Sequence, residues 1–346
     1  MRVIWLELNG QVGDSEVMPE YSTAIVFLAA FLIDAVAGDP QYGMHPVRLA
    51  GRMIGSMERI CLKAGLKKKF GGFCLTVASI SAAVGLYLLL RMGLSSLNPL
   101  LTLALDTYVV YSSFALKDLF NHAIPVAEAL EKEDLPAARE HVNMMVGREC
   151  SGLDRYAVAR AAAESVSENF IDSFFAPVFW FGAGALLAVL PGFDSAATGV
   201  AALLVYRITN TLDAMIGYRD RHYAQFGTFA AKLDDTLTFL PARLSIIVLA
   251  PAALISGLNC KSGIKVFFND RLKHESPNSA HAESFAAGAL GLRLGGSTHY
   301  PRGVVNKPWL GNGAELAEPG HIRHACRLIA SAGWITAAFA VIILCL

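Results

Sequence analysis

The sequence predicts an all-α protein, specifically a polytopic helical integral membrane protein with large polar helical loops. Of its 346 residues, 54% are hydrophobic and only 17% are charged, whereas an ordinary soluble domain has about 25% charged residues. The mean hydropathy is +0.45. The apolar residues also collect in blocks, and several are long enough to cross a bilayer, which takes roughly 20 residues of helix.

Seven apolar blocks define one helical membrane domain over residues 21–346, behind a polar N-terminal extension over residues 1–20. The blocks lie at about 21–37, 72–90, 100–118, 173–190, 195–209, 237–257 and 325–346. We expect six or seven spans, because Pro251 inside the sixth block favours a kinked or re-entrant segment. The extension is acidic and lacks the basic start of a signal peptide.

Lysine and arginine counts predict the orientation of the loops. The loop at 38–71 is the most basic short loop and is therefore predicted to be cytoplasmic, as are 119–172 and 207–236. Strict alternation would place 258–322 outside, which conflicts with its five lysines and arginines between Lys261 and Arg293. The net charge is zero, so no nucleic-acid partner is expected, and the scattered cysteines favour neither a disulfide framework nor a zinc site.

Three carboxylates occur at helical spacing just before the fourth block. Glu164, Glu168 and Asp172 are four residues apart, so a helix places them on one face. Such a face fits a Mg²⁺ or nucleotide-phosphate site, because Mg²⁺ takes one or two carboxylates together with phosphate oxygens. A solvated acidic face paired with Arg155 and Arg160 is an equal alternative, and Asn169 beside Glu168 favours function.

Two more polar clusters flank the fifth and sixth blocks. Asn210 and Asp213 share a helical face that ends at Gly217, and Arg219 follows; polar groups at the end of an apolar span usually line a site, although an interfacial helix end is the alternative. Asp234 and Asp235 precede the sixth block and are either metal ligands or helix caps. Arg243 in an apolar context suits a phosphate or carboxylate partner.

The remaining polar candidates lie in two loops. His45 and Arg48 follow a sharp proline-bounded turn, where a structural role for the histidine is the more common outcome. Asn278 precedes a helix of small residues that we expect to end at Gly295 and Gly296. The chain contains neither a GxxxxGK[ST] phosphate loop nor a GxGxxG dinucleotide motif after a strand, so these two nucleotide sites are not predicted.

These clusters, in this order, resemble the adenosylcobinamide-phosphate synthase family of cobalamin biosynthesis, the CbiB/CobD type. The matching strings include DAVAGDPQYGMHPVRLAGRMI, ESVSENFIDSFFAPVFW, YRITNTLDAMIGYR, FGTFAAKLDDTLTFLPARL and SPNSAHAESFAAGALGLRLGG, and together with YSSFALKDL they cover about residues 33–325. One departure is GREC at 147–150, where the family typically has GRDT, so Cys150 replaces a hydroxyl.

The resemblance implies a multi-pass protein of the cell membrane with its active site on the cytoplasmic side. It implies ATP- and Mg²⁺-dependent ligation of adenosylcobyric acid, a corrinoid, to (R)-1-aminopropan-2-ol or its O-phosphate. On that basis we assign candidate roles as follows: Glu164, Glu168, Asp172 and Asp213 for catalysis, Glu168, Asp172, Asp234 and Asp235 for metal, and His45, Arg48, Asn169, Asn210, Arg219, Arg243 and Asn278 for substrate or phosphate.

Two other functions remain open from the sequence. A corrinoid transporter would use Asp34 and Asp106 inside apolar blocks as pathway residues, although no internal repeat supports it. A non-catalytic membrane sensor of the same superfamily is the other, and the retained acidic pairs argue against it.

Overall fold

The computed structural model describes residues 18–39, 42–147, 149–217, 223–300 and 303–345. Most of the N-terminal extension, together with Arg219, therefore lies outside the described residues. The chain is helical almost throughout, which confirms the predicted fold class. The helices are α1 (Met18–Ala37), α2 (Pro46–Lys63), α3 (Lys69–Ser95), α4 (Pro99–Tyr111), α5 (Leu116–Glu131), α6 (Leu135–Asn143), α7 (Arg155–Phe170), α8 (Ala176–Val189), α9 (Ser195–Ile216), α10 (Thr228–Leu244), α11 (Ile246–Ile255), α12 (Cys260–Asp270), α13 (Ala280–Leu290) and α14 (Pro319–Leu344).

Four helical stretches of the described chain are long and apolar enough to cross a membrane, or five if α10 and α11 together form one bent span. They are Lys69–Ser95, Pro99–Glu131, Arg155–Val189 and Pro319–Leu344, and α1 adds a shorter apolar helix over Thr23–Ala37. The protein is therefore multi-pass, with fewer candidate spans than the six or seven predicted. Phe27, Phe31, Phe114, Phe174 and Phe181 form a buried aromatic cluster where α1, α5 and α8 meet.

A π-helical turn over Ile171–Phe175 joins α7 to α8. Pro177 follows it and has no N–H to donate to the carbonyl four residues earlier, that of Ser173. The Ser173 carbonyl instead accepts a hydrogen bond of 3.1 Å from the backbone N–H of Ala115, at the start of α5. The turn therefore shifts Asp172 relative to the carboxylates of α7 and also ties α8 to α5.

The polar segments of the chain collect at one end of the helix bundle, which we call the polar end. Arg323 of α14 pairs with Glu131 at 2.8 Å, and Arg160 of α7 donates to the carbonyl of Glu315. Tyr223 likewise donates to Glu58 of α2. At the opposite end, Arg91, Asp106 and Asp194 form a network among α3, α4 and the start of α9.

Helices α10 and α11 form a bent pair, and their contacts indicate that the pair enters the bundle from the polar end and turns back toward it. The pair bends by 42°. The bend lies at Ser245, so the kink predicted at Pro251 is misplaced, and Pro251 lies inside α11. Leu244 shares a groove with Phe339 and Ile343, deep along α14, whereas Ser256 contacts Ser331 nearer the polar end. Residues 258–322 therefore return to the polar end, which removes the conflict with alternation.

The segment after α12 differs from its prediction in two ways. Helix α13 ends at Gly291, not at Gly295 and Gly296, because Gly291 adopts the left-handed conformation (φ 68°) that commonly ends a helix. Beyond it lies an antiparallel hairpin of β1 (Leu294–Tyr300) and β2 (Gly303–Leu310), with an irregularity in the pairing at Gly296. The guanidinium groups of Arg160 and Arg293 both lie over the ring of Trp309 on β2, and the contact with Arg160 docks the hairpin on α7.

Candidate functional site

A cavity of about 360 Å³ opens at the polar end between four parts of the chain. These are the junction of α7 with the π-helical turn, the end of α9, the first half of α10, and the loop before α13. Its lining includes six carboxylates, which are those of Glu168, Asp172, Asp213, Asp234, Asp235 and Glu275. Like charges this close repel one another strongly unless cations or protons lie among them.

Asp172 occupies the wall of the cavity nearest the bundle. The hydroxyl of Tyr206 donates to its Oδ1 at 3.3 Å, and Arg207 donates to its backbone carbonyl at 3.2 Å. Both partners come from α9, so the packing of α9 against the π-helical turn fixes the position of this carboxylate. Glu168 lies one turn earlier on α7 and also lines the cavity.

The end of α9 supplies Asp213 to the cavity, and Gly217 ends the helix as predicted. A Cβ at Gly217 would lie 2.0 Å from Oδ1 of Asp213 and 2.6 Å from its carbonyl oxygen. Only glycine leaves room for the Asp213 carboxylate to fold back over the helix end. Asn210, one turn earlier, donates to Oδ1 of Asp234 at 3.4 Å and so links α9 to α10.

The paired aspartates of α10 face the cavity from inside a helix. Because α10 begins at Thr228, Asp234 and Asp235 lie well past its first turn, and the helix-cap alternative is wrong. Oδ1 of Asp235 accepts from Ser276 at 3.1 Å, and its backbone carbonyl accepts from the side chain of Asn278 at 2.8 Å. These bonds attach the loop before α13 to α10.

Arg243 lies beside this site rather than in its lining. It donates to the side-chain oxygen of Asn278 at 3.2 Å, and its guanidinium stacks on the ring of Phe239. Asn278 therefore lies between a cation and the acidic cavity. An anionic substrate group would meet Arg243 at this edge.

Among the described residues, six predicted site residues lie outside the cavity lining. Two of them, Asn210 and Arg243, hydrogen-bond to lining residues, and the other four are Glu164, Asn169, His45 and Arg48. Glu164 is buried behind the cavity, 3.9 Å from the ammonium of Lys307. Asn169 donates to the carbonyl of Ser165 on its own helix. His45 is buried 2.8 Å from Asp39 at the start of α2, and Arg48 on α2 is also outside the lining.

The sequence also allowed the carboxylates of α7 to form a solvated face paired with Arg155 and Arg160, instead of a metal or phosphate site. The structure contradicts this pairing. Arg155 pairs with Glu318 at 3.7 Å, and Arg160 stacks on Trp309. Both arginines serve to dock the hairpin and the start of α14. Cys150, the residue that departs from the family pattern, is 2% exposed and packs in the hydrophobic core rather than in the cavity.

Several residues of the site escaped the sequence analysis, namely Thr238, Glu275, Ser276 and Arg207. Ser276 begins the string SPNSAHAES, so its neighbourhood was visible, but its contact with Asp235 spans 41 residues of sequence. Long-range contacts of this kind leave no local periodicity.

The acidic cavity suits cations that arrive with a substrate. Within the described residues, no group of three or more acidic, histidine or cysteine side chains is arranged to hold a metal ion by itself. Mg²⁺ prefers one or two carboxylates plus water and phosphate oxygens, and Glu168, Asp172, Asp234 and Asp235 are chemically suited to supply that share.

Fold and site together define a multi-pass helical membrane protein with an acidic cavity at one end. The profile of the CobD/Cbib protein family matches residues 27–329. The cobalamin biosynthesis protein CobD of Clostridium perfringens is 32% identical over 93% of this chain and 98% of its own length. CobD of Desulfotalea psychrophila is 36% identical over 88% of this chain and 93% of its own length. CbiB of Salmonella typhimurium is 32% identical over 93% of this chain and 96% of its own length. No solved structure matches the chain.

The chain therefore belongs to the CobD/CbiB family, as the sequence motifs predicted. This membership gives it a role in cobalamin biosynthesis.

Proposed function

We propose that this protein is an ATP- and Mg²⁺-dependent amide ligase. Its substrates would be adenosylcobyric acid and (R)-1-aminopropan-2-ol or its O-phosphate, and its product adenosylcobinamide or its phosphate. The observation that supports this most is the convergence of six carboxylates in one cavity at the polar end. Such a cavity repels phosphate and carboxylate groups unless divalent cations accompany them, as they accompany ATP.

The proposed chemistry begins with activation of a carboxylate, which is a poor acyl donor. Its oxygen attacks the γ-phosphorus of ATP, ADP leaves, and an acyl phosphate forms. The amine then attacks the acyl carbon, inorganic phosphate leaves with the electron pair of the broken C–O bond, and the nitrogen loses one proton to the departing phosphate. Bound Mg²⁺ would neutralise charge on the transferring phosphoryl group.

The residues of this chain would divide the work by their positions. Glu168, Asp172, Asp234 and Asp235 would hold the cation, and Asp213 would orient the ammonium of the amino-alcohol. Arg243, at the edge beside Asn278, would bind a phosphate oxygen, and Asn210 keeps Asp234 in place. Arg219 stays a candidate for phosphate from the sequence alone.

In this proposal the polar end faces the cytoplasm, where ATP is available. The basic loop at 38–71, attached to this end through Glu58, agrees with that orientation. A large amphiphilic corrinoid could then reach the cavity from the membrane surface.

The test is product analysis with purified protein in detergent. Adenosylcobyric acid, ATP, MgCl₂ and aminopropanol O-phosphate are mixed with the enzyme, and mass spectrometry detects the amide. We expect Glu168→Gln, Asp213→Asn and Asp235→Asn each to lower the rate at least ~100-fold, since each removes charge from the cavity.

Glu140→Gln is the matched control, because Glu140 is exposed on α6 and does not line the cavity. It should retain the wild-type rate. Full activity in both Glu168→Gln and Asp213→Asn would refute the residue assignment, and absence of the amide with wild-type protein would refute the reaction.

A further inference from the structure

Behind the cavity lies a group of four ionisable side chains, three of them buried, that the proposed reaction does not yet use. Its members are His274, Glu283, Glu164 and Lys307, which come from the loop before α13, from α13, α7 and β2. We call them the buried proton cluster. The side chains of His274, Glu164 and Glu283 are 6%, 3% and 0% exposed.

Ser279 connects this cluster to the cavity. Ser279 lines the cavity itself. Its Oγ lies 3.1 Å from Nδ1 of His274, a hydrogen-bond distance. The other ring nitrogen of His274, Nε2, is buried and has no hydrogen-bond partner among the described residues. Nδ1 is therefore the ring atom through which His274 can exchange a proton with the cavity.

Acidic groups stand on the far side of His274. Oε2 of Glu283 lies 3.7 Å from the same Nδ1 atom. Glu164 comes next, with Lys307 3.9 Å from its Oε1. A proton that reached Nδ1 would thus sit beside Glu283, with the negative charge of Glu164 close by, while Lys307 limits that attraction.

At neutral pH the ring of His274 is in the neutral state that can accept a proton. Burial, with a smaller effect from Lys307, lowers the pKa of His274, so its imidazole is neutral and can accept. Burial and the charges of Glu164 and Glu168 raise the pKa of Glu283 well above its ordinary value. Within the described residues of this cluster, Nδ1 of His274 is the acceptor that lies at hydrogen-bond distance from Ser279.

We propose that His274 accepts, through the hydroxyl of Ser279, the proton that the substrate ammonium must lose before its nitrogen can attack. This inference rests on the proposed amide ligation and adds the group that activates the nucleophile. His274 does not line the cavity, so it acts through Ser279 rather than by touching the substrate.

The proton moves in two transfers. An N–H bond of the ammonium breaks, and that proton bonds to Oγ of Ser279. The hydroxyl proton of Ser279 passes to Nδ1 of His274, which becomes an imidazolium. The freed electron pair of the amine attacks the acyl carbon, the C–O bond to phosphate breaks, and the nitrogen loses its second proton to the departing phosphate. His274 later returns its own proton to solvent by the same route. This arrangement keeps the proton acceptor away from the cation-binding carboxylates, which cannot accept protons while they hold metal.

The test compares pH–rate profiles of amide formation for wild-type protein, His274→Gln and Ser279→Ala. General-base contributions are typically about 10²- to 10⁴-fold, so we expect His274→Gln to lower kcat about 100-fold and to lose an acidic limb of the wild-type profile. That limb should lie below the ordinary range of histidine. His324→Gln, the same change at an exposed position of α14, is the matched control and should keep both rate and profile.

Chemical rescue separates proton transfer from a structural role. Added imidazole should restore His274→Ala activity at least ~10-fold at neutral pH and should leave wild-type activity unchanged. Folding of each variant is checked by its melting temperature in detergent.

Different results would refute the proposed amide ligation and the proposed role of His274. If wild-type protein forms no amide at any pH, the proposed function is wrong. If wild-type protein forms the amide but His274→Gln retains the wild-type rate and profile, the inference alone is wrong. A slow His274→Gln with an unchanged profile, or a slow His274→Ala that imidazole does not rescue, also overturns it, because proton acceptance requires both signatures.

Discussion

At the scale of single residues, Gly217 determines where the Asp213 carboxylate lies, because glycine has no Cβ. The carboxylate of Asp213 occupies the space where any other residue at position 217 would have its Cβ. The sequence identified Gly217 as a helix end, which is correct. Its second role, leaving room for a cavity carboxylate, depends on a rotamer that no sequence pattern records.

We expect Gly217→Ala to lower amide formation at least ~10-fold, because its Cβ would displace the Asp213 carboxylate from the cavity. Steady-state rates of purified protein measure this. Gly85→Ala is the control, since Gly85 is helical and its added Cβ would meet nothing within 4 Å. Equal activity in the two variants would show that the position of Asp213 does not matter.

Asp34 and Asp106 illustrate the opposite case, in which conspicuous sequence positions have structural roles. Asp106 accepts from Tyr87 at 2.8 Å and pairs with Arg91, at the end of the bundle away from the cavity. Asp34 lies against the backbone N–H groups that begin α5, including that of Lys117. Both aspartates are thus engaged in holding helices together, and neither supports the transporter alternative.

At the scale of elements, two prolines tie helices together through the carbonyls that they leave unpaired. Pro177 frees the carbonyl of Ser173, which binds Ala115. Pro241 frees the carbonyl of Leu237 in the same way, and the indole N–H of Trp180 donates to it at 3.0 Å. The first bond holds the π-helical turn against the start of α5, and the second holds α10 against α8, so that each fixes one wall of the cavity.

We expect Trp180→Phe to destabilise the protein by about 1 kcal/mol, since it leaves the Leu237 carbonyl without a donor. In the Pro241→Ala background the same change should cost less than about 0.5 kcal/mol, because the substituted alanine supplies the intrahelical N–H that proline lacks. Denaturation of the four proteins in mixed micelles gives the coupling. Pro251→Ala should leave the cost of Trp180→Phe unchanged, and equal costs in all backgrounds would contradict this account.

The hairpin of β1 and β2 is the element that the sequence missed. Its strands contain glycines and a proline, which weaken any strand signal. Its position is decided by tertiary contacts, in which two arginines stack on Trp309 and Lys307 lies near Glu164 of α7. Short strands of this kind are stabilised by packing against the rest of the protein, here against α7.

At the scale of the whole molecule, the polar segments 119–172, 207–236 and 258–322 meet at one end of the bundle. The contacts of Glu131 with Arg323 and of Asp235 with Ser276 require this. The re-entrant path of α10 and α11 makes it possible without another crossing of the membrane.

We therefore expect residues 132 and 261 to face the same side of the membrane and residue 96 to face the other. Single cysteines are introduced as Lys132→Cys, Lys261→Cys and Ser96→Cys in a variant without native cysteines, because all three positions are exposed. Labelling of oriented vesicles with an impermeant maleimide reports the side. Labelling of Lys261→Cys together with Ser96→Cys, but not with Lys132→Cys, would disprove the re-entrant path.

The sequence by itself determined the class of fold, the membrane-spanning character and the family. Apolar blocks report burial in lipid or core directly, and ordered motifs such as YRITNTLDAMIGYR are long enough to be specific. It also identified most of the cavity's carboxylates, since Glu168 and Asp172, Asp213, and Asp234 with Asp235 stand out against apolar surroundings.

Only the tertiary structure decided which polar residues belong together. Glu164 lies behind the cavity, near Glu283. Arg155 and Arg160 contact Glu318 and Trp309 rather than the carboxylates of α7. Glu275 and Ser276 line the cavity together with the aspartates of α10. The tertiary structure also decided that α10 and α11 turn back. The reason is physical: helical periodicity fixes neighbours three or four residues apart, whereas contacts across tens of residues depend on how the helices pack.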